Sequence, residues 1–168
     1  MGRWTRQELE EAFDHYQKVG LQAGTSGDWR PWADLFTEDA TYVEHGFGKL
    51  CGREAIYRWI STIMKPFPNC AMKYFPMEWY MVDEEKGWIS CFVWNRMEDP
   101  GDGSLHQAGN MTLLKYAGDG LFSYEEDAYN PANFGTMIAG WLEARKRCEK
   151  GDSSTEKRHM GTLREDMK

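Results

Sequence analysis

Apolar side chains recur at helical spacing in four stretches of the chain. The first stretch follows Thr5, which forms a capping-box signature with Glu8, and its apolar stripe contains Leu9, Phe13 and Tyr16. Three further helices are predicted, over residues 28–35, over residues 53–65 and from residue 130 onward. Prolines directly after the third stretch are expected to end it, because proline cannot continue a helix.

Between these helices the pattern changes to the alternating runs that are typical of β-strands. A short strand is predicted over Thr41–His45, followed by a glycine-rich turn over residues 46–52. Longer strands are predicted over residues 71–82, 88–97, 105–116 and 121–129. Turn sequences rich in Gly, Asp and Pro separate most of them, and Pro76 marks a bulge or an edge position. Helices followed by a meander of strands predict an α+β domain with an antiparallel sheet.

The length of 168 residues fits one domain, predicted over residues 1–148, and the polar composition of residues 149–168 predicts a flexible tail. A formal net charge of −7 argues against nucleic acid or an anionic membrane as the main partner. The sequence shows no signal peptide and no long apolar run, and its four cysteines match no zinc or redox spacing. We therefore expect a cytoplasmic protein without a metal or an organic cofactor.

Two segments carry a resemblance to a known superfamily. Asp39–Gly48 places a histidine near the end of a short strand, and Gly52–Ile56 opens the following helix. Together with the order of elements over residues 5–130, these segments resemble the nuclear-transport-factor-2-like superfamily, which includes ketosteroid isomerases, scytalone dehydratase and polyketide cyclases. The resemblance implies a cone-shaped half-barrel, in which a bent sheet, three N-terminal helices and a C-terminal helix enclose a pocket. It also implies a homodimer or a homotrimer.

The resemblance to ketosteroid isomerase puts His45 at the position of the general base. Strand alternation then places Thr41 and Val43 on the pocket face with His45, and Tyr42 and Glu44 on the opposite face. A histidine suits this role because its ordinary pKa, near ~6.5, keeps much of it neutral and basic at pH 7. The alternative is a histidine that only makes hydrogen bonds in a turn.

The strand predicted over residues 105–116 carries the polar side chains His106, Asn110 and Thr112 on one face. The isomerase resemblance puts Thr112 where that family has an oxyanion-hole aspartic acid, so Asn110 and His106 are candidate replacement donors. The alternative is that this polar face meets solvent and that the opposite face, with Met111 and Leu113, forms the core.

Other candidate groups come from the last strand and from the first helix. Asp127 is expected to orient a histidine, or else to be a solvated carboxylate, whereas Glu125 is expected to face water. Tyr16 resembles the oxyanion tyrosine of the isomerases in its approximate place. Asp14 is a candidate carboxylate partner on the same helix.

Aromatic and polar side chains are expected to wall the pocket and bind substrate, although stripes of aromatic residues are more often core. These side chains are Trp32, Trp59, Phe75, Trp79, Phe92, Trp94, Thr112, Tyr129 and Phe134. A zinc site built from His45, His106 and Asp127 is disfavoured, because the characteristic ligand spacings are missing.

The resemblance therefore implies a cofactor-independent acid/base enzyme of lyase or isomerase type. Its substrate would be a small hydrophobic molecule, aromatic or polycyclic. The chemistry would be dehydration, isomerisation, cyclisation or C–C cleavage such as formaldehyde release. The alternative is a non-catalytic module of the same fold that binds a small molecule or docks to a protein.

Overall fold

The computed structural model describes the backbone of residues 3–165 and the side chains of residues 3–151. Its helices are α1 Arg6–Ser26, α2 Arg30–Ala33, α3 Arg53–Ile63 and α4 Pro131–Glu165, with a single 3₁₀ turn at Asn69–Ala71. Its strands are β1 Phe36–Glu44, β2 Gly48–Cys51, β3 Met72–Tyr74, β4 Met77–Asp83, β5 Trp88–Met97, β6 Gln107–Gly118 and β7 Leu121–Tyr129.

Local sequence signals explain several of these boundaries. The Thr5 hydroxyl accepts a hydrogen bond from the backbone N–H of Glu8 at 3.1 Å, so the predicted N-cap of α1 is confirmed. Helix α1 ends where Gly27 adopts a φ of 79°, a left-handed conformation that favours glycine. The predicted strand over residues 71–82 breaks into β3 and β4 around Pro76, which has no N–H to donate.

The strands form one bent, unclosed sheet in the order β2-β1-β7-β6-β5-β3, with β4 also paired to β5. The prediction of a purely antiparallel sheet is wrong, because β1 and β7 run parallel. Parallel neighbours need a long connection that returns the chain to the end of the sheet where the first strand began. Here α3 and strands β2 to β6 form that connection between β1 and β7. The fold class, an α+β cone with three N-terminal helices and a C-terminal helix, is confirmed.

The main core lies between the helices and the concave face of the sheet. Side chains from α1, β1, α3 and β7 meet there and are almost fully buried, among them Leu9, Phe13, Phe36, Ile56 and Phe122. The core does not fill the whole space between the layers, and what remains is a cavity.

The C-terminal part of the chain concerns the predicted domain boundary and the predicted flexible tail. Helix α4 passes through the predicted boundary at residue 149, and the flexibility expected of residues 149–168 stays a prediction. Residues 166–168 lie outside the described residues. Among residues 3–165 the structure contains no helix with the length and apolarity that crossing a bilayer requires.

Candidate active site

A cavity of about 390 Å³ lies between the helices and the concave face of the sheet. This volume is within the range of small-molecule sites, roughly 300–1,000 Å³. Most of the lining is apolar or aromatic, and all four helices and the central strands contribute to it. The polar lining groups lie mainly on β1, β6 and β7, three adjacent strands.

Strand β7 supplies two acidic side chains to the cavity wall. Glu125 and Asp127 are two residues apart, so they project from the same face, with Cα atoms roughly 7 Å apart along the strand. Thr112 on β6 lies directly across from Asp127. On the other side, Glu44 on β1 is the register partner of Asp127 in the parallel pair. The pairing of three strands therefore brings three carboxyl groups to one region of the wall.

Asp127 is surrounded by neutral hydrogen-bond donors. The Tyr42 hydroxyl donates to Oδ2, while the Thr112 hydroxyl and the Asn110 amide, at 2.9 Å, donate to Oδ1. The Asn95 amide donates to Asn110 Oδ1 at 2.7 Å, which fixes the orientation of that amide. Burial raises the pKa of Asp127, and the bonds from Thr112 and Tyr42 oppose that rise. The donors thus favour the charged form of a carboxyl group that burial disfavours.

Glu125 has a different environment. The residue is 2% exposed, its Oε1 accepts a hydrogen bond from the Tyr16 hydroxyl at 2.8 Å, and its Oε2 has no partner among the described residues. Burial, and then the charge of Asp127, raise the pKa of Glu125 well above its ordinary value. Burial also raises the pKa of Tyr16 and that of Tyr42, so both phenols stay protonated as donors.

Glu44 ends β1 at the margin of the cavity. Its Oε2 accepts the backbone N–H groups of Gly46 and Phe47, each at 2.6 Å, within the turn to β2. The Tyr129 phenol lies against the same carboxylate, and burial, followed by its bond to Glu44, raises the pKa of Tyr129. Glu44 is 5% exposed, so two buried acids, Glu44 and Glu125, line a single cavity together with the half-buried Asp127.

The prediction that His45 points into the pocket is wrong. The cavity face of strand β1 carries Tyr42 and Glu44, which were predicted to lie on the face opposite the pocket. The His45 side chain is 51% exposed and its Nε2 lies 2.9 Å from Glu126 Oε1, away from the cavity lining. Alternate residues of a strand point to opposite faces, so the placement of Thr41 and Val43 on the cavity face fails for the same reason.

Two other predicted catalytic residues also lie outside the cavity. His106 precedes β6, with its Nε2 2.9 Å from the Ser104 hydroxyl and its ring facing α4 near Gly140. Asp14 has a side chain that is 61% exposed, and it pairs with Lys18 at 2.6 Å on the surface of α1. Neither side chain is positioned to act on a molecule in the cavity.

The remaining candidates either line the cavity or lie on the outer face of the sheet. Those that line the cavity are Tyr16, Trp32, Trp59, Phe75, Asn110, Thr112, Asp127, Tyr129 and Phe134. Trp79, Phe92 and Trp94 do not line it: Trp79 is stacked on Phe92 at 6.3 Å, and Phe92 meets Trp94 edge to face. Cys91 and Asn95 occupy the cavity face of β5, so alternation turns Phe92 and Trp94 to the outer face.

The sequence analysis missed several residues of the site, namely Tyr42, Glu44, Asn95 and Glu125. A signal existed for Glu125, because it alternates with Asp127 on a strand whose pocket face was recognised. No comparable signal exists for Glu44, because acidic residues at strand ends usually face water. Among the described side chains, no group of three or more His, Cys, Asp or Glu is placed to hold a metal ion.

Comparisons with known proteins agree with this architecture. No protein-family model matches the sequence, and a search of curated proteins gives no match either. Solved structures do match, among them an NTF2-like protein from Anabaena variabilis, with 13% identity, a TM-score of 0.58, and coverage of 77% of this chain and 96% of the other.

Two enzymes with this architecture are also similar. An epoxide hydrolase of Mycobacterium tuberculosis, described as LEH-like, has 13% identity and a TM-score of 0.59 over 82% of this chain and 94% of its own. The epoxide hydrolase/cyclase-like enzyme SalBIII, which has a role in pyran ring formation in the polyether salinomycin, has 14% identity and a TM-score of 0.57, with 76% and 94% coverage. The chain therefore adopts the nuclear-transport-factor-2-like fold, as its resemblance to that superfamily predicts.

Proposed function

We propose that this protein is a cofactor-independent acid/base enzyme that acts on a small hydrophobic molecule, with Asp127 as the base and Glu125 as the acid. One observation carries the proposal: two carboxyl groups share one face of β7 inside an apolar cavity, in unlike hydrogen-bonding environments. Two nearby acids in unlike environments separate into a proton acceptor and a proton donor.

Asp127 is suited to accept a proton. Its three donors stabilise the carboxylate, while burial raises the pKa and so makes the carboxylate more basic than one in water. A carboxylate has about four lone-pair positions, so three donors leave one free for a proton from the substrate. The amide of Asn110, oriented by Asn95, holds the carboxylate in place during the transfer.

Glu125 is suited to donate a proton. Its raised pKa favours the neutral acid, and the charge of Asp127 adds to the effect of burial. The Tyr16 hydroxyl occupies Oε1, so the proton of the acid belongs on Oε2, the oxygen that lacks a partner among the described residues. An oxygen atom of a bound substrate can supply that missing partner.

This pair of groups supports reactions in which one proton leaves the substrate and another reaches an oxygen atom. Isomerisation through an enol, dehydration, and opening or closure of an oxygen ring all have this form. Apolar walls that include Trp32, Trp59, Phe75 and Phe134 favour a hydrophobic or aromatic substrate. The similarity to epoxide hydrolase and cyclase-like enzymes supports the same group of reactions.

The base can be tested with 5-nitrobenzisoxazole, whose ring opens when a base removes one C–H proton and the N–O bond breaks to give a coloured phenolate. We expect the wild-type protein to accelerate this opening and Asp127→Asn to lower the rate by roughly 100-fold or more. Glu126→Gln alters a neighbouring carboxyl group outside the cavity lining and should keep the wild-type rate. Equal rates for the wild type and Asp127→Asn would exclude the base and favour a binding module.

The acid needs a second substrate. Unsubstituted benzisoxazole releases a more basic phenolate, which depends more strongly on a proton from the acid. Glu125→Gln should therefore lower the rate for benzisoxazole by a larger factor than the rate for its nitro derivative. The same factor for both compounds would contradict the assignment of Glu125 as the proton donor.

A further inference from the structure

The acidic side chains in the cavity wall have no basic counterpart in the lining. Glu44, Glu125 and Asp127 line the cavity, and no Lys, Arg or His is among the lining residues. The hydrogen bonds that the structure gives these carboxyl groups come from phenols, a hydroxyl, an amide and backbone N–H groups, all of which are neutral. The wall therefore has acidic groups that no cation of the lining compensates.

Aromatic rings surround the acidic end of the cavity at Glu44. Phe47 and Trp59 meet edge to face with ring centres 5.8 Å apart, and Tyr129 and Phe134 lie 4.9 Å apart. All four rings line the cavity, and the Tyr129 phenol contacts the Glu44 carboxylate. The faces of aromatic rings attract cations through their quadrupole.

From these two features we infer that the ligand of this cavity is a hydrophobic organic ammonium ion. Its positive nitrogen lies between the carboxylates of Glu44 and Asp127 and the rings of Phe47, Trp59 and Tyr129, while its apolar part fills the cavity. The inference rests on the proposed function only in placing the substrate in the same cavity. It adds the charge and the chemical class of that substrate.

The chemistry of the wall favours an organic cation over a metal ion. No cluster of three or more metal-ligating side chains is present among the described residues, and the groups around the carboxylates are rings and amides. A metal ion needs several oxygen, nitrogen or sulfur ligands close together, whereas an ammonium ion is bound well by rings and one or two carboxylates.

The burial of the acidic groups supports the same conclusion. Burying charged groups without a counter-ion is unfavourable, and the charge of Glu44 adds to the effects that raise the pKa of Asp127. The Oε2 atom of Glu125, in a residue that is 2% exposed, has no hydrogen-bond partner among the described residues. A cation in the cavity would stabilise the carboxylates, and the rest of the ligand could bond to Glu125.

The test compares two ligands of the same shape, by titration of tryptophan fluorescence. Benzyltrimethylammonium carries the charge, and neopentylbenzene has a carbon atom in place of the nitrogen. An ordinary apolar pocket would prefer the neutral compound, because it costs less to remove from water. We expect the wild-type protein to bind the ammonium compound about tenfold more tightly than the neutral one.

Two variants locate the charge that is responsible. Glu44→Gln keeps an oxygen for the backbone N–H groups of Gly46 and Phe47, and Asp127→Asn keeps the shape of the side chain. Each should reduce the preference for the ammonium compound, whereas Glu126→Gln should leave it unchanged. If Glu44→Gln fails to fold, the wild-type comparison and Asp127→Asn still decide the question.

The outcomes separate this inference from the proposed function. Equal or tighter binding of neopentylbenzene to the wild type overturns the inference, even if Asp127 still opens the benzisoxazole ring. Preference for the ammonium compound without ring opening supports the inference and contradicts the proposed base. A preference that survives in both variants also overturns the inference, because the carboxylates then do not cause it.

Discussion

Replacing Glu125 with glutamine should change how the stability of the protein depends on pH. Burial, and then the charge of Asp127, raise the pKa of Glu125 well above the ordinary value of about 4.3. In the unfolded chain this carboxyl group loses its proton near pH ~4.3, whereas in the folded protein it keeps the proton to a higher pH. Over that interval the folded state binds more protons than the unfolded state.

The sign and size of the effect follow from this difference. The stabilisation is complete below the unfolded pKa and is lost as pH rises towards the raised folded pKa. One proton corresponds to a limiting slope of about 1.4 kcal/mol per pH unit, so the stability of the wild type should fall with a slope that approaches this value as the pH rises above 5. Asp127, whose pKa is also raised, changes stability in the same direction.

The assay is urea unfolding at half-unit steps from pH 5 to pH 8, with a reductant to protect the cysteines. Glu125→Gln removes the titrating group and should have a flatter profile, with higher stability than the wild type at pH 8. Glu126→Gln serves as the matched control, because its carboxyl group is on the opposite face of the same strand. Identical slopes for the wild type and Glu125→Gln would refute the claim that Glu125 is buried with a raised pKa.

Three further predictions concern stability, each measured by urea unfolding at pH 7. Tyr16→Phe removes the donor 2.8 Å from Glu125 Oε1 and should cost about 1–3 kcal/mol, and an unchanged midpoint would show that this bond is not formed. Gly109→Ala should cost about 1–3 kcal/mol, because its Cβ would lie 2.2 Å from the Phe92 ring, and a neutral effect would mean that the ring moves freely. Gly135→Ala in α4 meets no atom within 4 Å and should instead stabilise by about 0.5–1 kcal/mol, so a loss of stability would argue against a helix there.

The elements that sequence predicts well are those with strong boundaries. Strands β5 and β7 match their predicted ranges, because turn sequences bound their starts and Asp99-Pro100 and Pro131 follow their ends. The N-cap at Thr5 is equally local, since it depends on residues three positions apart. Short-range signals of this kind need no knowledge of tertiary packing.

The wrong choice of face at β1 has a long-range cause. The strand begins at Phe36, five residues before its predicted start at Thr41, and its parallel pairing with β7 depends on residues more than 80 positions away. His45, at the predicted end of the strand, was chosen as the catalytic candidate in preference to Glu44 before it. Because alternation has a period of two, that choice exchanged His45 for Glu44 at the cavity.

Glu125 was assigned to solvent by a rule that is correct for most carboxyl groups. A buried acid breaks the local preference of its residue type, and such exceptions concentrate at functional sites. Alternation places Glu125 on the same face as Asp127, but the pairing of β6 with β7 was needed to show that Thr112 lies across from Asp127 and that this face lines the cavity.

Stability alone does not account for three acidic side chains in one wall, two of them buried and one half-buried. A buried charge without a counter-ion is unfavourable, and apolar side chains of similar volume in these places would lower that cost. The register nevertheless aligns Glu44 with Asp127, and the alternation of β7 adds Glu125 to the same face. A ligand that compensates these charges would therefore restore stability as well as occupy the site, and its binding should raise the unfolding midpoint by mass action. The carboxyl groups whose burial is unfavourable are thus the same groups to which we assign selectivity for a cation and the transfer of protons.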